Sequence, residues 1–192
     1  ITIRDNRAWR DITAMIARFR YTRAMLRTAI LASSLLLLGC SPDAPKPPAG
    51  GVTQLYAARL LDTGGSMVSL EKWRGQPLLV NFWARWCEPC RVEIPELEAV
   101  HQGSKERGLV MLGAALEQNP VEVRDFARQT GMSYPALLAG DKGNGLMQAL
   151  GNPQLALPFT VAINREGRIV GHKVGRLSRA EAEALAAAAL AK

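Results

Sequence analysis

From Val52 onward the hydrophobic and polar positions alternate between short buried-looking runs and helically spaced stretches. Leu55–Leu61 and Met67–Leu70, turned by Asp62-Thr63-Gly64-Gly65, predict an opening hairpin. Pro77–Ala84 (PLLVNFWA) is a nearly continuous apolar run, as expected of a central strand covered on both faces. Between Pro89 and about Arg107, Val92, Leu97 and Val100 keep mostly helical spacing, and Pro95 is expected to kink that helix. A second buried strand follows over Leu109–Leu116, then a helix over Pro120–Thr130, a short strand over Ala136–Ala139 and a short helix over Gly145–Leu150. Phe159–Asn164 and Arg168–Val174, joined by Asn164-Arg165-Glu166-Gly167, read as a second hairpin, and Glu181–Leu190 as a closing alanine-rich helix. This order predicts an α/β domain over residues 52–192: a mixed central sheet with helices on both faces and an extra N-terminal β-hairpin.

Upstream the pattern changes. Residues 25–39 combine a charged start at Arg27 with an apolar run from Ala29 to Leu38, the length of a secretory h-region and too short to cross a bilayer about 30 Å thick. The run ends in Leu37-Leu38-Gly39-Cys40, which resembles the bacterial lipobox and implies lipidation of Cys40. The bland alternative is an uncleaved anchor in which Cys40 is a small apolar residue. Residues 40–51 then form a proline-rich tether with no apolar periodicity, reaching about 30 Å at roughly 3.1 Å per residue. Residues 1–24, Arg-rich and ahead of this signal, are read as a mis-called start or leader and left out of the fold.

Charge follows the same division. The chain carries a formal +7, yet residues 1–39 alone hold seven Arg against Asp5 and Asp11. The remainder has 17 Lys/Arg and 15 Asp/Glu, which gives no footprint for nucleic acid.

Three cysteines are too few for a disulfide framework, and Cys87 and Cys90 stand apart from Cys40 as a C-x-x-C pair. A thiolate is the nucleophile of disulfide exchange, and a free cysteine near pKa 8.5 supplies little of it at neutral pH. The pair sits between a buried strand and a helix. There the unpaired backbone N–H groups and the helix dipole favour negative charge on Cys87, and Cys90 lies one turn behind it. Pro89 suits the first turn, where it needs no N–H. Three other readings stand beside this one. A zinc site would want about four ligands, and the domain adds only His101 and His172. An inert structural bridge over so few residues would constrain the unfolded chain little. Two thiolates, with His172, would also suit Cu(I), which makes a copper-binding assembly factor the rival function.

The segment Val80–Cys90, VNFWARWCEPC, resembles the active-site stretch of the thioredoxin superfamily, and the order of elements extends that likeness over about 140 residues. Within it the tether, Glu88-Pro89 and Cys90-x-x-Glu93-x-Pro95 resemble the TlpA/ResA group of tethered extracytoplasmic thiol-disulfide oxidoreductases. The resemblance implies that Cys87 attacks, Cys90 resolves, and Trp86, Glu88 and Pro89 tune the pair. It implies that Leu157-Pro158 is a cis bond facing the cysteines and that Glu93 is the acid of the site. In thioredoxin a buried Asp occupies the position held here by Asn81, and Asn cannot accept a proton. The competing reading of Glu93 is a solvated acid that steadies the early helix.

Glu88 disfavours a thiolate beside it, which opposes the helix dipole and predicts a reductant rather than a strong oxidant. The implied partners are disulfide-bearing extracytoplasmic proteins, with apocytochrome c awaiting heme among them, and a membrane-embedded thiol reductase as electron donor. No cofactor beyond the Cys87–Cys90 disulfide is implied. The implied location is the periplasmic or extracytoplasmic side of a bacterial membrane, held by lipid.

Overall fold

The computed structural model describes residues 50–191. Residues 1–24, the signal-like segment 25–39, Cys40 and most of the expected 40–51 tether lie outside it. Twelve principal elements are α1 (Gly51–Ala57), β1 (Arg59–Asp62), β2 (Met67–Ser69), β3 (Leu78–Trp83), α2 (Glu88–Ser104), β4 (Val110–Ala115), α3 (Pro120–Gln129), β5 (Ala136–Leu138), α4 (Gly140–Ala149), β6 (Phe159–Ile163), β7 (Ile169–Val174) and α5 (Arg179–Leu190).

The strands form one sheet in the order β2-β1-β5-β4-β3-β6-β7. β3, β4 and β5 run parallel, while β1 and β2 on one side and β6 and β7 on the other join antiparallel. All six residues of β3 are buried, because parallel β4 and antiparallel β6 flank it and helices cover both faces. Period-two alternation divides the core. Leu79 and Trp83 of β3 share one cluster with Ile94, Leu97 and Val100 of α2 and with Ala182, Ala186 and Ala189 of α5. Leu78, Val80 and Phe82 join the other, with Leu55 and Tyr56 of α1 and with Leu146 and Met147 of α4.

The hairpin of β1 and β2 begins at Arg59, not Leu55, since Gly51–Ala57 is helical. Leu55 and Tyr56 lie in a helix where a strand is expected, and their burial serves α1. Gly51, expected as the last residue of the tether, is the first residue of α1. A Cβ at that glycine would stand 1.9 Å from the carbonyl oxygen of Ala149, so α1 seats directly on the end of α4. The turn is an Asx turn: Asp62 Oδ1 accepts from the N–H groups of Gly64 and Ser66 at 2.9 and 2.8 Å.

α4 starts five residues earlier than its apolar pattern suggested, through Gly140, Gly143 and Gly145, each of which weakens a helix by about 1 kcal/mol relative to Ala. Packing overrides propensity here: Leu146, Met147 and Ala149 are buried, and a Cβ at Gly143 would meet Leu116 Cδ2 at 2.2 Å. α2 runs unbroken through Pro95. α5 opens with a capping box between Ser178 and Glu181.

Candidate active site

β3 ends at Trp83, and after a short loop Cys87 becomes the N-cap of α2. Its backbone is extended, with φ −87° and ψ 100°, and its N–H donates to the carbonyl of Ala84 at 3.1 Å. Cys87 Sγ accepts from the N–H of Cys90 at 3.3 Å, the role a Ser or Asp oxygen plays in an ordinary cap. Its sulfur is therefore addressed by the positive end of a 17-residue helix. Cys87 and Cys90 are joined as a disulfide, with Cα atoms 5.3 Å apart. Cys90 is completely buried, whereas Cys87 keeps 6% of its surface, so one sulfur is reachable and the other lies behind it.

Pro89 occupies the first turn, and Glu88 beside it points into solvent, 3.7 Å from the Arg91 guanidinium. Trp86 is 75% exposed immediately before the nucleophile position. A cleft of about 490 Å³ opens beside it, with Phe126 and Arg91 in its wall.

Glu93 is the departure from ordinary protein surface. Period 3.6 turns it inward from α2, where it is 1% exposed, so the solvated reading of this acid does not hold. Its Oε1 accepts from Asn81 Nδ2 at 2.7 Å and its Oε2 from the N–H of Leu177 at 2.8 Å. Burial pushes the carboxyl up to about 7, against the downward pull of the Leu177 N–H, the Asn81 amide and the positive Arg176. Asn81 Nδ2 also donates to Thr160 Oγ1 at 2.9 Å, its direct partner across β3 and β6. Tyr134 lies near enough that the Glu93 charge adds to the effect of burial in pushing its phenol upward.

Leu157-Pro158 is cis. β6 is antiparallel to β3 with Phe159 opposite Phe82, which puts Pro158 at the end of the sheet where β3 hands over to the cysteine loop. The N–H of Gly175 donates to the Pro158 carbonyl at 2.8 Å, and Leu157 packs on the cluster that contains both cysteines. Cys87, Cys90, Glu93 and Pro158 thus gather at one end of the sheet.

His172 does not join them. It pairs with Val161, whose side chain belongs to the α1/α4 face, and its ring meets the edge of Phe159. Among the described residues no group of three or more His, Cys, Asp or Glu is arranged to hold a metal ion.

Sequence reasoning missed two sets of partners. One is the Asn81, Thr160 and Leu177 frame around Glu93; the visible signal was a single polar residue inside the apolar run of β3, which needs a buried partner. The other is Arg85, whose N–H donates to Glu117 Oε1 at 2.6 Å and whose guanidinium pairs with Glu122, tying the cysteine loop to the start of α3.

A family model described as Redoxin matches residues 48–190. The chain is 29% identical over 120 residues to the thiol-disulfide oxidoreductase ResA of Bacillus subtilis (strain 168), covering 62% of this chain and 64% of that protein. It is 26% identical over 122 residues to ResA of Bacillus thuringiensis (strain Al Hakam), covering 64% and 68%. Among solved structures it resembles a thiol:disulfide interchange protein of the thioredoxin family from Chlorobium tepidum TLS, with a TM-score of 0.64, 26% identity, and 78% and 99% of the two chains covered. A secreted disulfide oxidoreductase from Mycobacterium tuberculosis shares the fold at a TM-score of 0.60 and 18% identity, over 70% and 98%. The architecture is thioredoxin-like.

Proposed function

Because this chain belongs to the Redoxin family and is a thiol-disulfide oxidoreductase of the TlpA/ResA kind, we propose that it works as a reductant of disulfides in extracytoplasmic partner proteins, tethered to a membrane through Cys40. The observation that carries this reading is the stacking along α2: a reachable Cys87, a buried Cys90 one turn on, and a buried Glu93 carboxyl that titrates near neutral pH.

In the reduced protein the Cys87 thiolate attacks one sulfur of a client disulfide. A Cys87–client disulfide forms and one client thiolate leaves, taking a proton. Cys90 then gives its proton to the Glu93 carboxylate and attacks Cys87 Sγ. The Cys87–Cys90 disulfide closes, and the second client sulfur departs and is protonated in turn. Two electrons and two protons have passed to the client. Glu93 suits the middle step because a base near pKa 7 accepts a thiol proton and gives it up again at the same pH. Pro158 borders the cysteines where a client strand would pair with the chain ahead of β6, and Trp86 offers an aromatic surface beside the point of attack.

The direction rests on Glu88, whose charge opposes a very stable Cys87 thiolate. Arg91 offsets it only weakly, since both side chains are exposed. Electrons return by the same exchange from a membrane-embedded thiol reductase, and apocytochrome c awaiting heme is the client class that the family likeness suggests.

The test is Cys90→Ser, which halts the cycle at the mixed disulfide. Disulfide-bearing extracytoplasmic proteins should be trapped on Cys87 and released by dithiothreitol; a trapped set without such proteins removes the reductase reading.

A further inference from the structure

Asn81 sits where a buried acid would be needed if β3 supplied the proton acceptor, and its amide is instead bonded on one side only. Nδ2 donates to Glu93 Oε1 and to Thr160 Oγ1, while Oδ1 is buried with no partner. The residue is 1% exposed, so water does not relieve it. A buried amide with both protons used and its acceptor idle is half of a reversible arrangement.

We propose that Asn81 is a positioning residue that serves Glu93 in both of its protonation states, by turning its amide end for end when the carboxyl takes up a proton. This rests on the role of Glu93 as the proton acceptor for Cys90 given above.

With Glu93 ionised, the arrangement is the one observed: the carboxylate only accepts, and Asn81 and the Leu177 N–H both donate to it. Once Glu93 Oε1 carries a proton it must donate, and Asn81 Nδ2 facing it would set two donors 2.7 Å apart. A half-turn about the Cβ–Cγ bond exchanges Oδ1 and Nδ2. Oδ1 then accepts from Glu93 Oε1–H, and also from Thr160, whose hydroxyl can donate as readily as accept. The Leu177 N–H keeps its bond to Oε2, because a carbonyl oxygen accepts as a carboxylate oxygen does. The only covalent bonds that change are the S–H of Cys90 and the O–H of Glu93; the flip replaces two N–H···O hydrogen bonds of Nδ2 by two O–H···O bonds to Oδ1 and moves the NH₂ to where Oδ1 stood.

The other groups facing the carboxyl cannot take this part. Cys90 lies on α2 itself and is the proton donor. Arg176 offers donors and no acceptor, and the Tyr134 phenol is pushed upward by burial. Trp83 Nε1, on the same face of β3, can only donate. Asn81 is the one neighbour on β3 that is able both to give and to receive, which an Asp could do only by titrating itself and a Leu could not do at all.

The experiment is NMR titration of the full chain in its oxidised state, so that neither active-site thiol titrates. The Glu93 carboxyl carbon and the Asn81 side-chain NH₂ are followed together, with Glu93→Gln used for assignment. The Asn81 NH₂ signals should move with the Glu93 midpoint, and in Glu93→Gln that transition should vanish. In Asn81→Leu the proton affinity of Glu93 should rise by up to about tenfold, since the charge-assisted bond lost by the ionised form is about twice as strong as the neutral bond lost by the protonated one. NH₂ signals that stay fixed across the Glu93 titration in the unaltered protein overturn the proposal, and that measurement needs no variant to fold. Coupled titration in a protein that proves unable to reduce client disulfides supports the proposal and removes the reductase reading instead.

Discussion

At Glu93 burial and function pull in one direction. The carboxyl titrates near 7 in the folded protein against an ordinary 4.5, so the folded state holds this proton more tightly than the unfolded chain does. Stability from this group is therefore complete below about pH 4.5 and is lost as pH rises through about 7, a change of about 3 kcal/mol at 1.36 kcal/mol per pH unit. Urea unfolding of the oxidised protein should show that decline between pH 4.5 and 8, and Glu93→Gln should flatten it; an equal slope in the variant would mean that Glu93 does not titrate in this range. The same substitution should slow closure of the Cys87–client disulfide about 10²-fold and remove an inflection near pH 7 from its rate, as measured by quenched-flow trapping of the intermediate. The chemistry of Cys87, Cys90 and Trp86 was legible because their spacing is local and a strand and a helix bracket it. The burial of Glu93 was not. Read from α2 alone it is one acid early in a helix, and only the arrival of β3, β6 and the segment before α5 closes water out.

Element by element, what the chain hides is contact between distant segments. α1 is hidden in the sequence, partly as tether and partly as strand, because seven residues opening on a glycine carry too little periodicity to declare a helix, and its stability comes from Leu55 and Tyr56 against α4. The first five residues of α4 are hidden for the same reason, with Gly140 and Gly143 among them. The close seat of α1 yields a check: Gly51→Ala should destabilise the domain by about 1–3 kcal/mol in urea, since the added methyl meets backbone and cannot be relieved by a rotamer change. Across the sheet, the loop before Cys87 is pinned by Glu117, which is half-buried and accepts the Arg85 N–H. Glu117→Ala leaves that N–H without its acceptor and should cost about 1–3 kcal/mol, while Glu117→Gln, which still accepts, should cost much less. Equal losses in the two variants would assign the effect to the lost charge of Glu117 and so to its ion pair with Arg85.

For the molecule as a whole, the order of elements was readable because the buried runs of β3 and β4 and the two turn signals stand out, but the sheet order was not, since periodicity says nothing about which strands are neighbours. The placement of Pro158 follows from that order: antiparallel β6 beside β3 brings a residue 71 positions from Cys87 to the same sheet end, a separation that only the family resemblance anticipated. Among the described residues no helix is long and apolar enough to cross a membrane. The attachment we propose is through Cys40. On that proposal several acyl chains at about 0.8 kcal/mol per buried CH₂ would hold the protein at a bilayer. Nothing in the exchange chemistry of Cys87 and Cys90 calls on the anchor. Cys40→Ser should therefore move the protein from the membrane pellet to the soluble fraction, leave its rate with a small disulfide such as oxidised glutathione unchanged within about twofold, and impair the reduction of clients in cells. Retention of the variant in the pellet after a high-salt wash would place the attachment elsewhere in the chain, because a single lost lipid site cannot be replaced by a domain whose charge balance is only +2 beyond residue 39.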